Sequence, residues 1–364
     1  MEINAKRAFI VSDSHFGARS NSVEWLEEMM DWFETDFIPK VKEQYRPGDI
    51  LIHCGDVFDN RQSVNLLVLH KGIELFEKLS KIFEDGIYVI AGNHDVMRKT
   101  SNDVSSLDCL KYIPKVNILK EPIIAKMADN NVLFMPWRTN DEEERKCIAD
   151  FSEVKLDYLF CHTNIRSLKF DSYRDVDEGL SVTELSSFKR VFAGHIHWGQ
   201  QKGNVTMVGN PYQMTRSDAG NPKGAYLLDF ESNELTFIEN NYSPKFVRIY
   251  LNKYMERTVA DLKRECNNNR VDLYVPSHYL MKYQINPIID ILSEMTKKLE
   301  VIPYEADLYE DDAEGSLSDE GSFNIISLCE RYITSVKSLE SETKEKIMSK
   351  INSIYQETIK HEKQ

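Results

Sequence analysis

Five times in the first 200 residues, a short apolar run ends in aspartate, asparagine or histidine. Ala8 to Val11 leads into Ser12-Asp13-Ser14-His15, and Ile50 to His53 into Gly55-Asp56. Ile87 to Ala91 leads into Gly92-Asn93-His94-Asp95, Tyr158 to Cys161 into His162, and Val191 to Ala193 into Gly194-His195-Ile196-His197. Apolar runs this short, bounded by such residues, read as buried strands. They alternate with helix-spaced segments, the pattern of an α/β sheet. In open α/β sheets ligand sites form outside the carboxyl ends of the strands. Residues far apart in the chain are therefore expected to converge in one crevice.

The intervening segments support that layout. Glu24 to Tyr45 places Trp25, Met29, Trp32, Phe33 and Phe37 near helical spacing, and Leu66 to Phe83 puts Leu69, Ile73, Phe76 and Leu79 on one helix face. Val132 to Met135 is a further short apolar run, and Val205 to Val208, Ala225 to Phe230 and Leu235 to Ile238 read as antiparallel strands. After Phe246 the pattern changes to a small α+β unit. Its predicted strands are Val247 to Leu251 and Val271 to Val275, and its predicted helices Glu256 to Cys266 and Pro287 to Lys298. From Tyr304 to Ser322 there are eight acidic residues and no Lys or Arg, mixed with Gly and Ser, which reads as a flexible linker. Phe323 to Lys363 carries two apolar stripes at helical spacing, Ile325 to Leu339 and Ile347 to Ile359, with a break near Ser338 to Thr343. Such an amphipathic hairpin suits docking on a partner or folding back on the rest of the chain. The expected organisation is residues 1–245, 246–303, 304–322 and 323–364.

The acidic stretch supplies more than half of the net charge of −14, so the total says little about the surface near the crevice. The six cysteines are scattered without a close pair, which argues for reduced thiols and against a thiolate metal site. No apolar run approaches the roughly 20 residues needed to span a bilayer, and the start of the chain does not read as a signal peptide.

Five of the nine histidines, His15, His94, His162, His195 and His197, fall in the strand-end motifs. A lone Asp-x-His is common, but Gly-Asn-His-Asp has chance odds on the order of one in a thousand in a chain this long. Imidazole, carboxylate and amide oxygen together suit Mn²⁺, Fe²⁺ or Zn²⁺ better than Ca²⁺. Phosphodiester hydrolysis needs a nucleophile at neutral pH and neutralised phosphoryl oxygens. Two divalent metals about 3.5–4 Å apart supply both. Asp56 is the natural bridge between them, because the preceding glycine lets the backbone turn sharply. Asn93 offers a side-chain oxygen. His94 then points into the same site with Asp95 as its ring's acceptor, suited to protonating the leaving oxygen or stabilising the transition state.

At these residues the chain resembles the calcineurin-like metallophosphoesterases, over Arg7 to about Asn241. More narrowly it resembles the SbcD-type nuclease subunits of double-strand-break repair complexes, including those of T-even-like phages. The narrower likeness rests on Gly55 to Asp59, Cys161 to Ile165, Gly209 to Gln213 and Lys223-Gly224, together with the small unit, linker and tail. The resemblance implies an α/β/β/α sandwich with a small α+β cap and a C-terminal helical hairpin. It implies one metal on Asp13, His15, Asp56 and His197, and another on Asp56, Asn93, His162 and His195, with His94 and Asp95 catalytic. The metals would be Mn²⁺, with Mg²⁺, Fe²⁺ or Zn²⁺ as alternatives. The implied activity is 3′-to-5′ exonuclease action on duplex DNA and endonuclease action on single strands and hairpins, in DNA end processing, recombination and repair. Implied partners are DNA ends, an SMC-like coiled-coil ATPase bound by the terminal helices, and a second copy of the chain. The setting would be cytoplasmic, the host's if phage-encoded, with no membrane.

In one place the chain departs from the pattern. Some relatives carry a histidine three positions after the bridging aspartate, where this chain has Asp59. Asp59 donates no proton at neutral pH unless its pKa is raised, which bears on the balance of exonuclease and endonuclease action. Arg19, Arg61, Arg98, Lys99, Arg138, Arg166, Lys169 and Arg216 follow or neighbour the motif strands and are candidate phosphate contacts. The competing readings are a protein phosphatase or small-molecule phosphodiesterase of the same superfamily, and a non-enzymatic DNA-end tether or ATPase activator. A phosphatase pattern would want Asp-Arg-Gly soon after Gly-Asp, where this chain has Asp59-Asn60-Arg61.

Overall fold

The computed structural model describes residues 1–98, 100–254, 257–282, 285–304, 343, 344 and 346–351. Residues 1–305 form one compact unit. Most of the acidic linker and most of the helical tail lie outside the described residues.

Two six-stranded sheets face one another. In the first, Arg7–Val11, Asp49–His53, Ile87–Ile90 and Val116–Leu119 run parallel, and Gly224–Asp229 and Leu235–Glu239 add antiparallel beside Arg7–Val11. In the second, Val205–Met207, Arg190–Gly194, Tyr158–His162 and Asn130–Met135 run parallel, with Gln200–Lys202 and Ile123–Met127 as antiparallel edges. Val205–Met207 is therefore parallel to one neighbour and antiparallel to the other, not simply antiparallel as its turn residues suggested. Gly203-Asn204 reverses the chain, but only towards the edge strand.

The strands read as continuous apolar runs because both faces are covered. Alternate residues of Arg7–Val11 serve different cores. Phe9 and Val11 pack outward on helices carrying Leu26, Met29, Phe76 and Leu79, whereas Ala8 and Ile10 pack inward. Between the sheets, Tyr88, Phe134, Phe160 and Phe192 stack in a row, with centroid spacings of 6.1, 5.5 and 5.0 Å. Beneath the second sheet a third core gathers Leu133, Leu159, Val191 and Leu185. The result is a two-sheet sandwich with helices outside.

Local deviations have local causes. The long N-terminal helix is not one α-helix. Val23–Asp31 and Ile38–Gln44 flank a π-helical stretch, Trp32–Phe37, whose wider turn lets Trp32, Phe33 and Phe37 all reach the core. Leu66–Ser80 starts where Asn65 accepts hydrogen bonds from the Leu67 and Val68 amides. It buries Val68, Leu75, Phe76 and Leu79, so its inward face is rotated from the one the spacing suggested, with Leu69 and Ile73 only half-buried.

Phe246–Tyr250, Arg270–Pro276 and Lys298–Tyr304 form a parallel three-stranded sheet, packed by Val259–Cys266 and Asn286–Met295 around Ile249, Leu262, Leu273 and Leu292. The third strand was not legible as one: it contains Pro303, which its edge position tolerates. This sheet is fastened to the sandwich. Arg270 pairs with Glu28 at 2.6 Å and covers Trp25, Trp25 stacks on Phe246, and Arg216 pairs with Asp272 at 2.6 Å. No helix among the described residues is long and apolar enough to cross a membrane.

Candidate metal centre

The strand-end motifs meet at one end of the sandwich, and the backbone there is contorted to bring them together. Asp13, His15, Asp56 and His195 all have positive φ, at 52°, 47°, 56° and 96°. Aspartate and histidine tolerate this region better than most residues, and its cost is characteristic of functional sites. Gly92 is required by proximity: a Cβ there would lie 2.2 Å from Asp56 Oδ1. Gly55, at φ 99°, would press a Cβ within 2.4 Å of His162 Nδ1.

Three groups of donor atoms result, Asp13-His15-His197, Asp56-His162-His195 and His15-Asp56-His94, each within 4.8 Å of one another. Asp56 Oδ2 lies 3.6 Å from His15 Nε2 and 3.3 Å from His162 Nε2, and so belongs to both sides. Asn93 Oδ1 lies 2.9 Å from His162 Nε2 and 2.7 Å from His195 Nδ1. His15 Nε2 and His197 Nε2 face each other at 3.0 Å. Asp13 accepts the His195 amide at 3.0 Å.

The second nitrogen of most rings is occupied. His162 Nδ1 donates to the Cys54 carbonyl at 2.7 Å, and His15 Nδ1 to the Asp59 carboxylate at 3.2 Å. Each bond turns Nε2 towards the cluster, the outer arrangement that orients histidine ligands in metal sites. His15 Nε2 and His197 Nε2, with the His15 proton already spent on Asp59, are suited to a shared cation. The donor set of carboxylate, imidazole and amide oxygen therefore fits borderline divalent metals.

Among the protein's own groups the electrostatics differ from ring to ring. Burial, reinforced by the charge of neighbouring histidines, pulls His195 and His197 down to about 3, so both are neutral donors at pH 7. Burial would lower His162 too, but the adjacent Asp56 carboxylate pushes it up to about 9. Burial pushes Asp13 up to about 6. Burial would likewise raise Asp56, yet the surrounding histidines hold it well below the usual carboxylate range.

Asp95 does not do what its position suggested. Its carboxylate accepts the backbone amides of Asp56, Val57, Phe58 and Gly92 at 2.8, 3.0, 3.2 and 3.0 Å. That consumes its acceptor capacity on the turn carrying Asp56. The His94 ring instead donates Nδ1 to the main-chain carbonyl of Asp59 at 2.6 Å, and the His94 amide donates to Asp56 Oδ1 at 2.7 Å.

Other contributors were given no role by the sequence reading. Trp137 lies over His195, with centroids 5.2 Å apart. Tyr212 donates its hydroxyl to the Ser14 carbonyl, and buried Lys223 donates to the His197 carbonyl at 2.6 Å. The Gly209 to Gln213 and Lys223-Gly224 segments thus brace the motif loops. Of the basic candidates, Arg19 donates to the Met214 carbonyl at 2.6 Å, Arg138 pairs with Glu121 at 3.1 Å, and Arg166 donates to the Gly179 carbonyl at 3.1 Å. Arg216 is held by Asp272 and Glu300. Arg61 is half-buried, Arg98 and Lys169 are exposed, and Lys99 lies outside the described residues.

Residues 6–199 match the family model described as calcineurin-like phosphoesterase. The chain is 24% identical over 238 residues to exonuclease subunit 1 of Enterobacteria phage T4, covering 64% of this chain and 67% of that protein. Among solved structures, a protein of unknown function from Aquifex aeolicus, AQ665, matches 54% of this chain and 82% of its own, at 14% identity and a TM-score of 0.31.

Proposed function

Because this chain belongs to the calcineurin-like phosphoesterase family and is a metal-dependent hydrolase, we propose that it is a DNA nuclease. In this reading it uses two Mn²⁺ ions, degrades duplex DNA from 3′ ends and cuts single strands and hairpins. The observation that carries the proposal is Asp56 standing between two donor groups with His94 held beside it. Similarity to a phage exonuclease subunit supports DNA as the substrate.

In the proposed mechanism Asp13, His15, Asp56 and His197 hold one metal, and Asp56, Asn93, His162 and His195 the other. When bound, the two metals would supply an activated nucleophile and neutralise charge on the phosphoryl oxygens. His94 keeps its Nδ1 proton on the Asp59 carbonyl, so Nε2 is where a proton is gained and given to the leaving oxygen. Asp95 fixes the turn that presents Asp56. Asp59 holds the His15 ring and takes no part in proton transfer.

The proposal extends to the assembly. The small three-stranded unit caps the site and helps select DNA. The tail at residues 323–364 binds an SMC-like ATPase, and two copies of the chain pair within that complex.

The test is cleavage of a 3′-labelled linear duplex by purified protein with Mn²⁺, beside a phosphoserine peptide. Release of labelled nucleotides is expected. Hydrolysis of the peptide but not DNA would overturn the proposal. Deletion of residues 323–364 is expected to abolish co-purification with the ATPase; retained binding would remove the tail from that role.

A further inference from the structure

Two distant parts of the chain contribute to one aromatic row. After His162 the chain makes a loop through residues 167–178, where Phe170 is 44% and Tyr173 47% exposed. The Arg174 guanidinium lies over the Phe170 ring, 4.6 Å from its centroid. Arg248, on the first strand of the three-stranded sheet, donates to the Tyr173 hydroxyl at 2.6 Å and lies 5.6 Å from that ring's centroid. Two residues on, Tyr250 is 37% exposed and stacks on Tyr274 at 5.0 Å and 23°. Strand alternation puts Arg248 and Tyr250 on the face opposite Val247 and Ile249, which fill the unit's own core. The rings are therefore not needed for that core.

The row is anchored to the metal centre's own segment. Gln200 accepts the Lys169 amide at 2.8 Å and donates to the carbonyls of Lys169, at 2.7 Å, and Trp198, at 3.1 Å; Trp198 directly follows His197. Arg248 also donates to the Arg216 carbonyl at 3.0 Å.

Scattered exposed rings need no explanation. Three of them, with half-buried Tyr274, interleaved with two guanidinium groups are a different matter, because this is the composition that stacks unpaired bases. Of the acidic neighbours, Asp171 pairs with Arg174, and Asp272 and Glu300 with Arg216, while Asp175, Asp177 and Glu178 of the same loop are exposed. The surroundings carry more acidic than basic groups, so the row offers stacking and not phosphate attraction. A duplex keeps its base faces internal and gains little from it.

We infer that Phe170, Tyr173, Tyr250 and Tyr274, with Arg174 and Arg248 between them, form a stacking surface for an unpaired DNA strand beside the metal centre. The inference rests on the nuclease reading for its choice of ligand.

The test is fluorescence anisotropy of a labelled oligothymidylate and of a blunt duplex, using full-length protein in EDTA so that nothing is cut. Phe170→Ala and Tyr250→Ala are each expected to weaken oligothymidylate binding about tenfold, from the usual value of a base–aromatic stack, and to leave duplex binding nearly unchanged. Phe170→Tyr and Tyr250→Phe, which keep the ring, are expected to bind like wild type. Thermal melts check that every variant is folded. Unchanged affinity in folded alanine variants overturns the inference. So does equal loss for duplex and single strand. Intact DNA binding with lost ATPase co-purification would also overturn it and make the row a protein interface. If no DNA is cleaved with Mn²⁺ but the ring-dependent binding appears, the surface stands and the nuclease reading falls.

Discussion

The main-chain carbonyl of Asp59 accepts the Nδ1 proton of His94 at 2.6 Å, while the carboxylate of the same residue accepts Nδ1 of His15 at 3.2 Å. One residue thus fixes two rings by two different groups. The consequences separate cleanly on mutation, because only one of those groups belongs to the side chain.

Asp59→Asn removes the charge beside His15 and leaves the carbonyl that orients His94. Loss of an outer carboxylate typically costs a metal site about 10–100-fold in affinity. Mn²⁺ titration by calorimetry is expected to show a loss in that range, with turnover at saturating Mn²⁺ within a few-fold of wild type. A large fall in saturated turnover with unchanged Mn²⁺ affinity would give Asp59 a direct part in the chemistry instead.

His94→Ser tests the proton donor. The ring contributes Nε2 to the site, whereas Asp13, His15, His162, His195 and His197 remain in place. Positioned acid–base catalysis contributes about 10²–10⁴-fold, and turnover is expected to fall by that much. Metal content, measured by atomic emission after gel filtration, should stay at the wild-type level. Loss of metal alongside activity would make His94 a ligand.

Asp95→Asn addresses the turn. Four backbone amides converge on this buried carboxylate, and an asparagine offers one acceptor oxygen and turns a donor towards the rest. Leaving buried donors unsatisfied costs about 1–3 kcal/mol each, so a destabilisation of about 2–4 kcal/mol is expected in urea unfolding. Nuclease loss should accompany it because Asp56 sits on that turn. Near-wild-type stability would show that the turn holds without the carboxylate.

The centre was more legible in the sequence than its supports, and the reason is physical. Donor atoms for a metal must come from a few residue types, and their place after apolar runs names the strand ends. Supports work through backbone groups. The Asp59 carbonyl belongs to no residue type, so nothing in the sequence marks it as the partner of His94. Asp95 stands next to His94 in the chain, which favoured a ring contact, yet four amide donors outcompete one imidazole. Lys298–Tyr304 went unread because Pro303 is a poor strand residue away from an edge, and edges are a property of the assembled sheet. Trp137 belongs to no motif, and only the fold sets it over His195.

Glu144 carries a pH dependence of its own, outside the metal donor set. It lies on Asp141–Asp150, is buried, and accepts the hydroxyl of Thr163, the residue after His162. Its Oε2 has no hydrogen-bond partner among the described residues. Burial, only partly offset by the Thr163 hydroxyl, pushes its carboxyl from 4.5 up to about 7. A carboxyl raised in the fold is held protonated there, so its contribution to stability is complete below about 4.5. That contribution is lost as pH climbs towards 7, because the unfolded chain ionises first. A shift of this size amounts to at most about 3 kcal/mol. Glu144→Gln cannot ionise. Melting of both proteins in EDTA should therefore show the variant gaining on wild type from pH 4.5 to 7 and holding a constant difference above. A difference that is flat across that window would mean Glu144 ionises without cost, with Oε2 reaching water.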